Sequence, residues 1–491
     1  MNEPIADSLE VVPRASSTIE TMRAVGYSPG AAVADLVDNS FTAGARRVSV
    51  DFEWNGRDSV ILIQDDGRGM SGPALGEAMR LGSANPRDAR KSNDLGRFGM
   101  GMKTASFSQC RRLTVLSRRE GYAAVYWCWD LDYVASTDTW RLLRTPGPPG
   151  ALEKLEGAES GTVVAWEDMD RLVGAARADN SDDRDRFWKV AKEVKDHLAM
   201  VFHRFIESGK LKLSVNGNAV EPWNPFMPGA EGCQSLADES LLDGRVRVKS
   251  YVLPHTSRLS SAERERGGGR RGWTAMQGFY VYRNERLLVD GSWLGLFRRE
   301  EDARLARIMV DITNADDEAW QIDIKKSRAR PPAGIASDLH RLGRQARSAS
   351  SKVFRHRGVS LSGHRLQPMV HVWEELMRQG QRFYRVNRTH PALASVLDEA
   401  GSLRGRLEIA LRMVEETVPV TRIYSDMAAD PDAQGEPLAG EDEEKVMELM
   451  GAIYGYLVGS IGAKNAADRL GMMDPFNLYP TLVERFLQDN S

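Results

Sequence analysis

Hydrophobic spacing along the chain changes several times, and each change marks a different kind of element. Ser28 to Ala45 (SPGAAVADLVDNSFTAGA) is spaced as a helix, with Ser28 suited to the N-cap and Pro29 to the first helical position. Val60 to Ile63 is a short unbroken apolar run, the pattern of a buried strand, and it ends in a turn rich in aspartate and glycine, Asp65 to Gly69. From Phe205 to Arg330 the period shortens. KLKLSVNGNAVEP alternates apolar and polar residues around Asn216-Gly217, a strong hairpin signal, and strand-like runs recur at VRVKSYVL, GFYVYRNERLLV and RIMVDI, with a turn at Arg283 to Glu285. From Ser337 the helical period returns, with Leu339, Leu342, Ala346, Ala349 and Val353 on one side. Leu393 to Val418 and Glu443 to Asn490 read as further amphipathic helices. These patterns predict an α+β protein in three parts: residues 1–205, a mixed domain over 206–335, and a helical region over 336–491.

A length of 491 residues suits about three domains. No stretch reaches the roughly 18 apolar residues of a membrane span, and the start MNEPIADSLE lacks a signal-like apolar region, so a cytoplasmic protein is expected. Cys110, Cys128 and Cys233 are odd in number and lack C-x-x-C spacing, which implies neither a disulfide framework nor a zinc site. The eight histidines lack metal-ligand spacing, and His197 and His203 read as surface or packed residues.

Three segments carry chemistry. In the first helix, Asp35 and Asn39 stand four residues apart and so share a face. Such a pair can hold an attacking water and a magnesium ion side by side. The carboxamide oxygen would serve the hard cation, and the carboxylate would orient the water or accept its proton. Asp65, at a strand end, can accept a hydrogen bond from an exocyclic amine such as that of adenine, while Gly67 and Gly69 let the backbone pass close to a flat ring. In LGRFGMGMKTASFS, Gly96, Gly99 and Gly101 open a helix whose free N–H groups can face anionic oxygens, and Lys103 adds a point charge. Between Leu81 and Gly96 the chain has no apolar period and reads as a loop, with Ser83 an ordinary member of it.

In order and spacing, the three segments resemble the N-box, the D-x-G-x-G turn and the G-x-x-G-x-G lid end of the GHKL ATPases, the superfamily of gyrase B, heat-shock chaperone, histidine kinase and MutL. A fourth element follows at Ser160-Gly161-Thr162-Val163-Val164, where that superfamily carries a Gly-Thr at a strand start. DLVDNS with GRFGMGMKTA is most similar to MORC-type ATPases and their prokaryotic relatives. The resemblance implies an N-terminal ATP-binding α/β sandwich of Bergerat type, with ATP and Mg2+ as cofactors. It implies Asp35 as the water-activating carboxylate, Asn39 as the magnesium ligand, and Asp65 with Thr162 as adenine contacts. Gly67, Gly69, Gly96, Gly99, Gly101 and Lys103 would line the ring and phosphates. The loop before Gly96 becomes an ATP lid. Much of the superfamily has Glu where this chain has Asp35, one methylene shorter, and Asp38 is a fallback base. A transducer domain of ribosomal-protein βαβ type is expected next. It would reach the γ-phosphate with one lysine of WQIDIKKSRARPP, Lys325 in preference to Lys326.

Overall charge is −3, so no global field advertises a nucleic-acid partner. Locally, residues 325–365 hold eleven lysines and arginines against the single acid Asp338. On a basic helix over 337–357, Arg341, Arg344, Arg347, Lys352 and Arg355 lie opposite the apolar face, and such a stripe could contact duplex DNA through its phosphates. Glu263 to Trp273 (ERERGGGRRGW) could add a flexible basic finger carrying Arg270 and Arg271. The alternative is a solvated helix, or one paired with the acidic linker 426–444. The expected function is a nucleotide-gated clamp that closes as a homodimer on ATP, in a DNA-linked process such as prokaryotic defence or genome maintenance. Its rivals are a chaperone or scaffold acting on a protein partner, and a nucleotide sensor with little hydrolysis.

Overall fold

The computed structural model describes residues 11–24, 26–82, 101–317, 319–321, 329–355, 370–378, 381–429, 437–438 and 440–490. The chain opens with helices α1 (Ala15–Arg23) and α2 (Pro29–Thr42), then strands β1 (Arg47–Glu53) and β2 (Val60–Asp65). Helices α3 (Gly72–Met79) and α4 (Gly101–Phe107) are followed by β3 (Arg112–Arg118), β4 (Val125–Asp130), α5 (Leu131–Thr137), α6 (Glu153–Glu156) and β5 (Gly161–Glu167). Helices α7 (Ser181–Val201) and α8 (His203–Glu207) lead into β6 (Lys212–Val215) and β7 (Asn218–Ala219). These seven strands form one sheet in the order β4-β3-β5-β2-β1-β6-β7, antiparallel throughout except where β6 runs parallel to β1.

Period-two alternation sorts this sheet's faces. Val50, Phe52, Ile61, Ile63 and Trp166 point to the side covered by α2 and α7, while Leu62, Leu116, Val163 and Ala165 meet the smaller cover around α6, Ala151 and Leu155. The outcome is the helix-on-sheet sandwich that the sequence implied. The Asn216-Gly217 hairpin forms with positive φ at both residues, 47° and 73°, the signature of a type I′ turn. It closes onto the first sheet through the β1–β6 pairing, whereas the sequence pattern grouped it with the second region. Alternation specifies a strand but not the sheet it joins.

The second unit contains β8 (Gln234–Leu241), β9 (Val246–Val252), α9 (Ser261–Gly268), β10 (Gly278–Arg283), β11 (Arg286–Ser292), β12 (Ala306–Ile312) and α10 (Ala333–Arg355). Its sheet runs β11-β10-β12-β9-β8, with β10 and β12 parallel. Asn284 and Glu285, at φ 48° and 70°, turn β10 into β11. One face packs on Ile335, Leu339, Leu342 and Ala346 of α10 together with Trp293 and Trp320. The opposite face, Tyr280, Tyr282, Leu287 and Met309, packs with Phe226 and with Met200 of α7. The two units therefore share buried surface.

Past α10 come a hairpin, β13 (Trp373–Arg378) and β14 (Gln381–Val386), and helices α11 (Pro391–Glu399), α12 (Arg404–Glu416), α13 (Val420–Ala429), α14 (Glu443–Ile461), α15 (Ala463–Leu470) and α16 (Pro480–Asp489). The hairpin is an addition to the helical region expected there. Met450, Ile453, Leu457, Leu470, Met473 and Phe486 make its core, so the methionine-rich stretch of α14 is structural. Of the acidic segment, residues 430–436 and 439 lie outside the described residues, Asp442 caps α14, and Glu443 pairs with Arg485. The three cysteines are free. Among the described residues no helix is long and apolar enough to cross a membrane.

His203, on α8, is 1% exposed and binds the Tyr282 hydroxyl at 2.8 Å through Nε2 and Glu207 at 3.3 Å through Nδ1. Burial lowers its pKa from the ordinary 6.5, partly offset by Glu207. A group whose folded pKa is depressed takes its proton first in the unfolded chain, so stability present above that ordinary value is lost as pH falls below it. The thermal midpoint should fall between pH 7.5 and 5, and His203→Gln should flatten that slope in melts recorded across the range. An unchanged slope would assign the acid sensitivity to other groups.

Candidate functional site

Helix α2 carries the site because it is buried on most of its surface. Ser28 caps it, its hydroxyl accepting from Ala31 N–H at 3.3 Å, and Pro29 occupies the first turn. Ala32, Val33, Leu36 and Val37 are sealed against the sheet and α7. Helices α2 and α7 approach closely at Gly30, where a Cβ would stand 3.0 Å from the His197 side chain. Burial, with Arg286 and Arg270 nearby, pushes the His197 pKa down to about 3, so this packed residue is neutral.

The same packing drives polar side chains inward. Asp35 is 2% exposed, and its Oδ2 accepts from the Tyr27 hydroxyl at 3.0 Å. Gly101, at the start of α4, lies beside it: a Cβ there would stand 3.6 Å from Asp35 Oδ2. Asn39, one turn further along α2, is exposed. Asp38 is fully buried and ion-paired to Arg286 of β11 at 3.1 Å, which removes it as a fallback base: its carboxylate faces the second unit.

Asp65 ends β2 directly opposite Thr162 of β5. Its Oδ2 accepts from Ser40 Oγ at 2.8 Å and its Oδ1 from Gly67 N–H at 2.9 Å. Burial raises its pKa, opposed by the hydrogen bonds from Gly67, Ser40 and the Thr162 backbone. Thr162 Oγ1 meets Ser117 Oγ at 2.9 Å, and Ser117 accepts from Met70 N–H at 2.9 Å. Strand end, aspartate-glycine turn and Gly-Thr strand start thus join in one hydrogen-bonded group. The turn is tight: a Cβ on Gly69, at φ 62°, would lie 1.8 Å from the Arg118 carbonyl oxygen. At Gly161 it would lie 2.4 Å from that of Asp65. Sequence reasoning missed Ser40, Tyr27 and Ser117. Ser40 follows Asn39 directly and its inward helical phase was available as a signal, whereas Ser117 sits in an ordinary strand.

Lys103 is placed differently from the phosphate contact the resemblance implied. Its side chain is 2% exposed, and the ammonium donates to the carbonyls of Ala78 at 2.8 Å and Arg80 at 2.7 Å, while Trp129 Nε1 serves Met79 at 3.0 Å. Carbonyls at the end of α3 lack helical partners, and a buried cation satisfies them. Burial lowers its pKa to about 8. Gly96, Gly99, Ser83 and both lysines Lys325 and Lys326 lie outside the described residues.

The basic surfaces are largely neutralised from within. Arg341 pairs with Glu239 at 2.6 Å, and Arg347 pairs with Glu300 at 2.6 Å while lying over Trp293 and Phe297. Arg344 and Lys352 are exposed; the Arg355 side chain is outside the described residues. Glu263 to Trp273 is no flexible finger. A Ser260–Glu263 capping box starts α9, Gly267 and Gly268 pack against Trp273, and Arg271 donates to Asp290 at 2.8 Å. Arg270 is exposed, 4.0 Å from Glu193.

Comparison with known proteins matches residues 27–162 to the family model for histidine kinase-, DNA gyrase B-, and HSP90-like ATPases. The chain carries a GHKL ATPase domain. Similar curated proteins include ATPase morc-1 of Caenorhabditis elegans, 28% identical over 24% of this chain and 14% of its own length. DNA mismatch repair protein MutL of Shewanella piezotolerans is 26% identical over 53% of this chain and 39% of its own. Protein MICRORCHIDIA 6 of Arabidopsis thaliana is 38% identical over 18% and 13%. This chain thus spans well under half the length of these relatives. The matched GHKL span holds Asp35, Asn39, Asp65 and Thr162.

Only glycine fits position 69, so Gly69→Ala should cost more than about 2 kcal/mol in urea denaturation. Gly76→Ala in α3, where a Cβ meets nothing within 4 Å, should be neutral or stabilise by up to about 1 kcal/mol. Equal midpoints for the two variants would contradict the tight turn.

Proposed function

We propose that this chain binds Mg-ATP between α2, the Asp65 turn and the start of α4, and hydrolyses it, with Asp35 as the water-activating carboxylate. The observation that carries the reading is that α2 touches both other segments within the matched span, the start of α4 through Asp35 and Gly101 and the Asp65–Thr162 pair through Ser40. The residues present suit the nucleotide. Asp65, with both oxygens oriented by Ser40 and Gly67, offers a fixed acceptor to an exocyclic amine, and the exposed Asn39 offers a neutral oxygen to a hard cation. A bound magnesium would neutralise charge on the phosphates during transfer. Tyr27 holds one oxygen of Asp35, limiting how the carboxylate can turn. Water oxygen attacks the γ-phosphorus, its proton passes to Asp35, and the β–γ bridging bond breaks to give ADP and phosphate.

The relatives named for DNA mismatch repair favour a DNA-linked task as the first reading, and we propose for it a homodimer that closes on ATP, with Lys325, in preference to Lys326, as the residue that would reach the γ-phosphate. Among the described side chains of α10, Arg341 and Arg347 are paired internally while Arg344 and Lys352 are exposed, a smaller footprint for phosphates than the sequence suggested. A protein-directed switch is the second reading, favoured by Ile409, Met413 and Val414, which α12 exposes at 67%, 63% and 54%.

Asp35→Ala should abolish ATP turnover while retaining nucleotide binding; unchanged turnover would refute the assignment. Asp65→Asn should weaken ATP binding about 10–100-fold, the cost of losing a buried charged acceptor, in a fluorescent-nucleotide titration. Turnover measured at low salt should rise with duplex DNA if DNA is the client, and a rate indifferent to DNA would favour the protein-directed switch.

A further inference from the structure

Arg286 opens β11 in the second unit, yet its guanidinium lies against α2 in the first. Nε stands 3.2 and 3.1 Å from the two Asp38 oxygens, Nη1 donates to the Leu287 carbonyl at 2.9 Å, and Nη2 lies 3.7 Å from Asp35 Oδ1. The Arg286 side chain is 5% exposed, Asp35 3% and Asp38 0%. Two carboxylates one turn apart on a buried helix repel each other and lose hydration, a cost that a shared cation between them offsets. This cation comes from the other unit.

The two contacts differ in kind. Asp38 receives hydrogen bonds and anchors the guanidinium. Asp35 receives a longer, charge-only contact, so Arg286 acts on it through its field and its direction. Around this group the units are clasped further. Lys210 meets Glu285 at 2.6 Å, Arg204 pairs with Asp311 and lies over the Tyr282 ring at 3.6 Å, and His203 binds Tyr282. Any shift of β11 relative to α2 is therefore felt at Asp35.

We propose that Arg286 is a positioning residue for ATP hydrolysis, through which docking of the second unit sets the charge environment and aim of Asp35. The inference rests on reading Asp35 as the water-activating carboxylate. Arg286 binds no nucleotide itself, so its loss should appear in kcat and not in nucleotide affinity.

The test uses the full chain in three forms: Arg286→Lys, Asp35→Ala, and the double variant Arg286→Met with Asp38→Leu. The double change replaces the buried pair by apolar groups of similar volume and avoids leaving Asp38 uncompensated. Its fold is checked by a cooperative melt, and ATP binding by titration with a fluorescent ATP analogue. The expected result is binding within about threefold of the parent and kcat lower by about a hundredfold, the scale of a misaimed catalytic group. Arg286→Lys should recover part of the loss, since the ammonium restores charge without the fork. Parental kcat in the double variant, or a loss confined to KM, overturns the proposal while Asp35→Ala remains inactive. Turnover surviving in Asp35→Ala overturns the underlying reading as well.

Discussion

Everything functional in this molecule hangs on the burial of α2. A helix so enclosed cannot carry polar residues without partners, because an unpaired buried charge costs several kcal/mol. Asp35, Asp38 and Ser40 are all inside, and each is answered from a different part of the chain: Asp35 by Tyr27, Asp38 by Arg286, Ser40 by Asp65. Satisfying those groups assembles the candidate site. It also ties the second unit to the first, since the cation that Asp38 needs is carried by β11. The chemistry of the site and the docking of the units are one electrostatic requirement.

What could be read from the sequence was local. Ser28 and Pro29 announced the start of α2, four-residue spacing put Asp35 and Asn39 on one face, and Asn216-Gly217 announced its hairpin through the φ values only such residues adopt readily. Asp65 and Thr162 were paired as adenine contacts only through the family resemblance, and the antiparallel register of β2 on β5 sets them opposite each other. Partners distant in sequence could not be read. Arg286 is 248 residues from Asp38, and Glu239 is 102 from Arg341. A stripe of arginines on a helical wheel shows where cations point relative to the helix, not which acids a neighbouring sheet will bring to them. The same limit explains the glycine run at 267–269: glycines read as loop formers, but here they admit Trp273 and Trp223 to close contact.

Lys103 shows how a motif residue can be diverted by its surroundings. In a glycine-rich run a lysine suggests phosphate binding, yet α3 ends just across the site with carbonyls in need of donors. The ammonium and the Trp129 indole between them meet Ala78, Met79 and Arg80. A lysine held this way joins the end of α3 to the start of α4, the two segments that flank residues 83–100. Its hydrogen bonds hold the end of α3 against the start of α4.

A buried ion pair adds little net stability, because desolvation consumes most of the Coulombic gain. The group of Asp35, Asp38 and Arg286 is therefore poorly explained as a fastening device. Tyr280, Tyr282 and Leu287 packed with Met200 already hold the units together, and apolar contacts of that kind are indifferent to small rotations. An ion pair is not: it has direction, and it strengthens or fails over fractions of an ångström in a low-dielectric setting. Apolar burial thus supplies the cohesion between the units, and the charged group supplies the sensitivity to their relative position, at the carboxylate we propose to aim the attacking water.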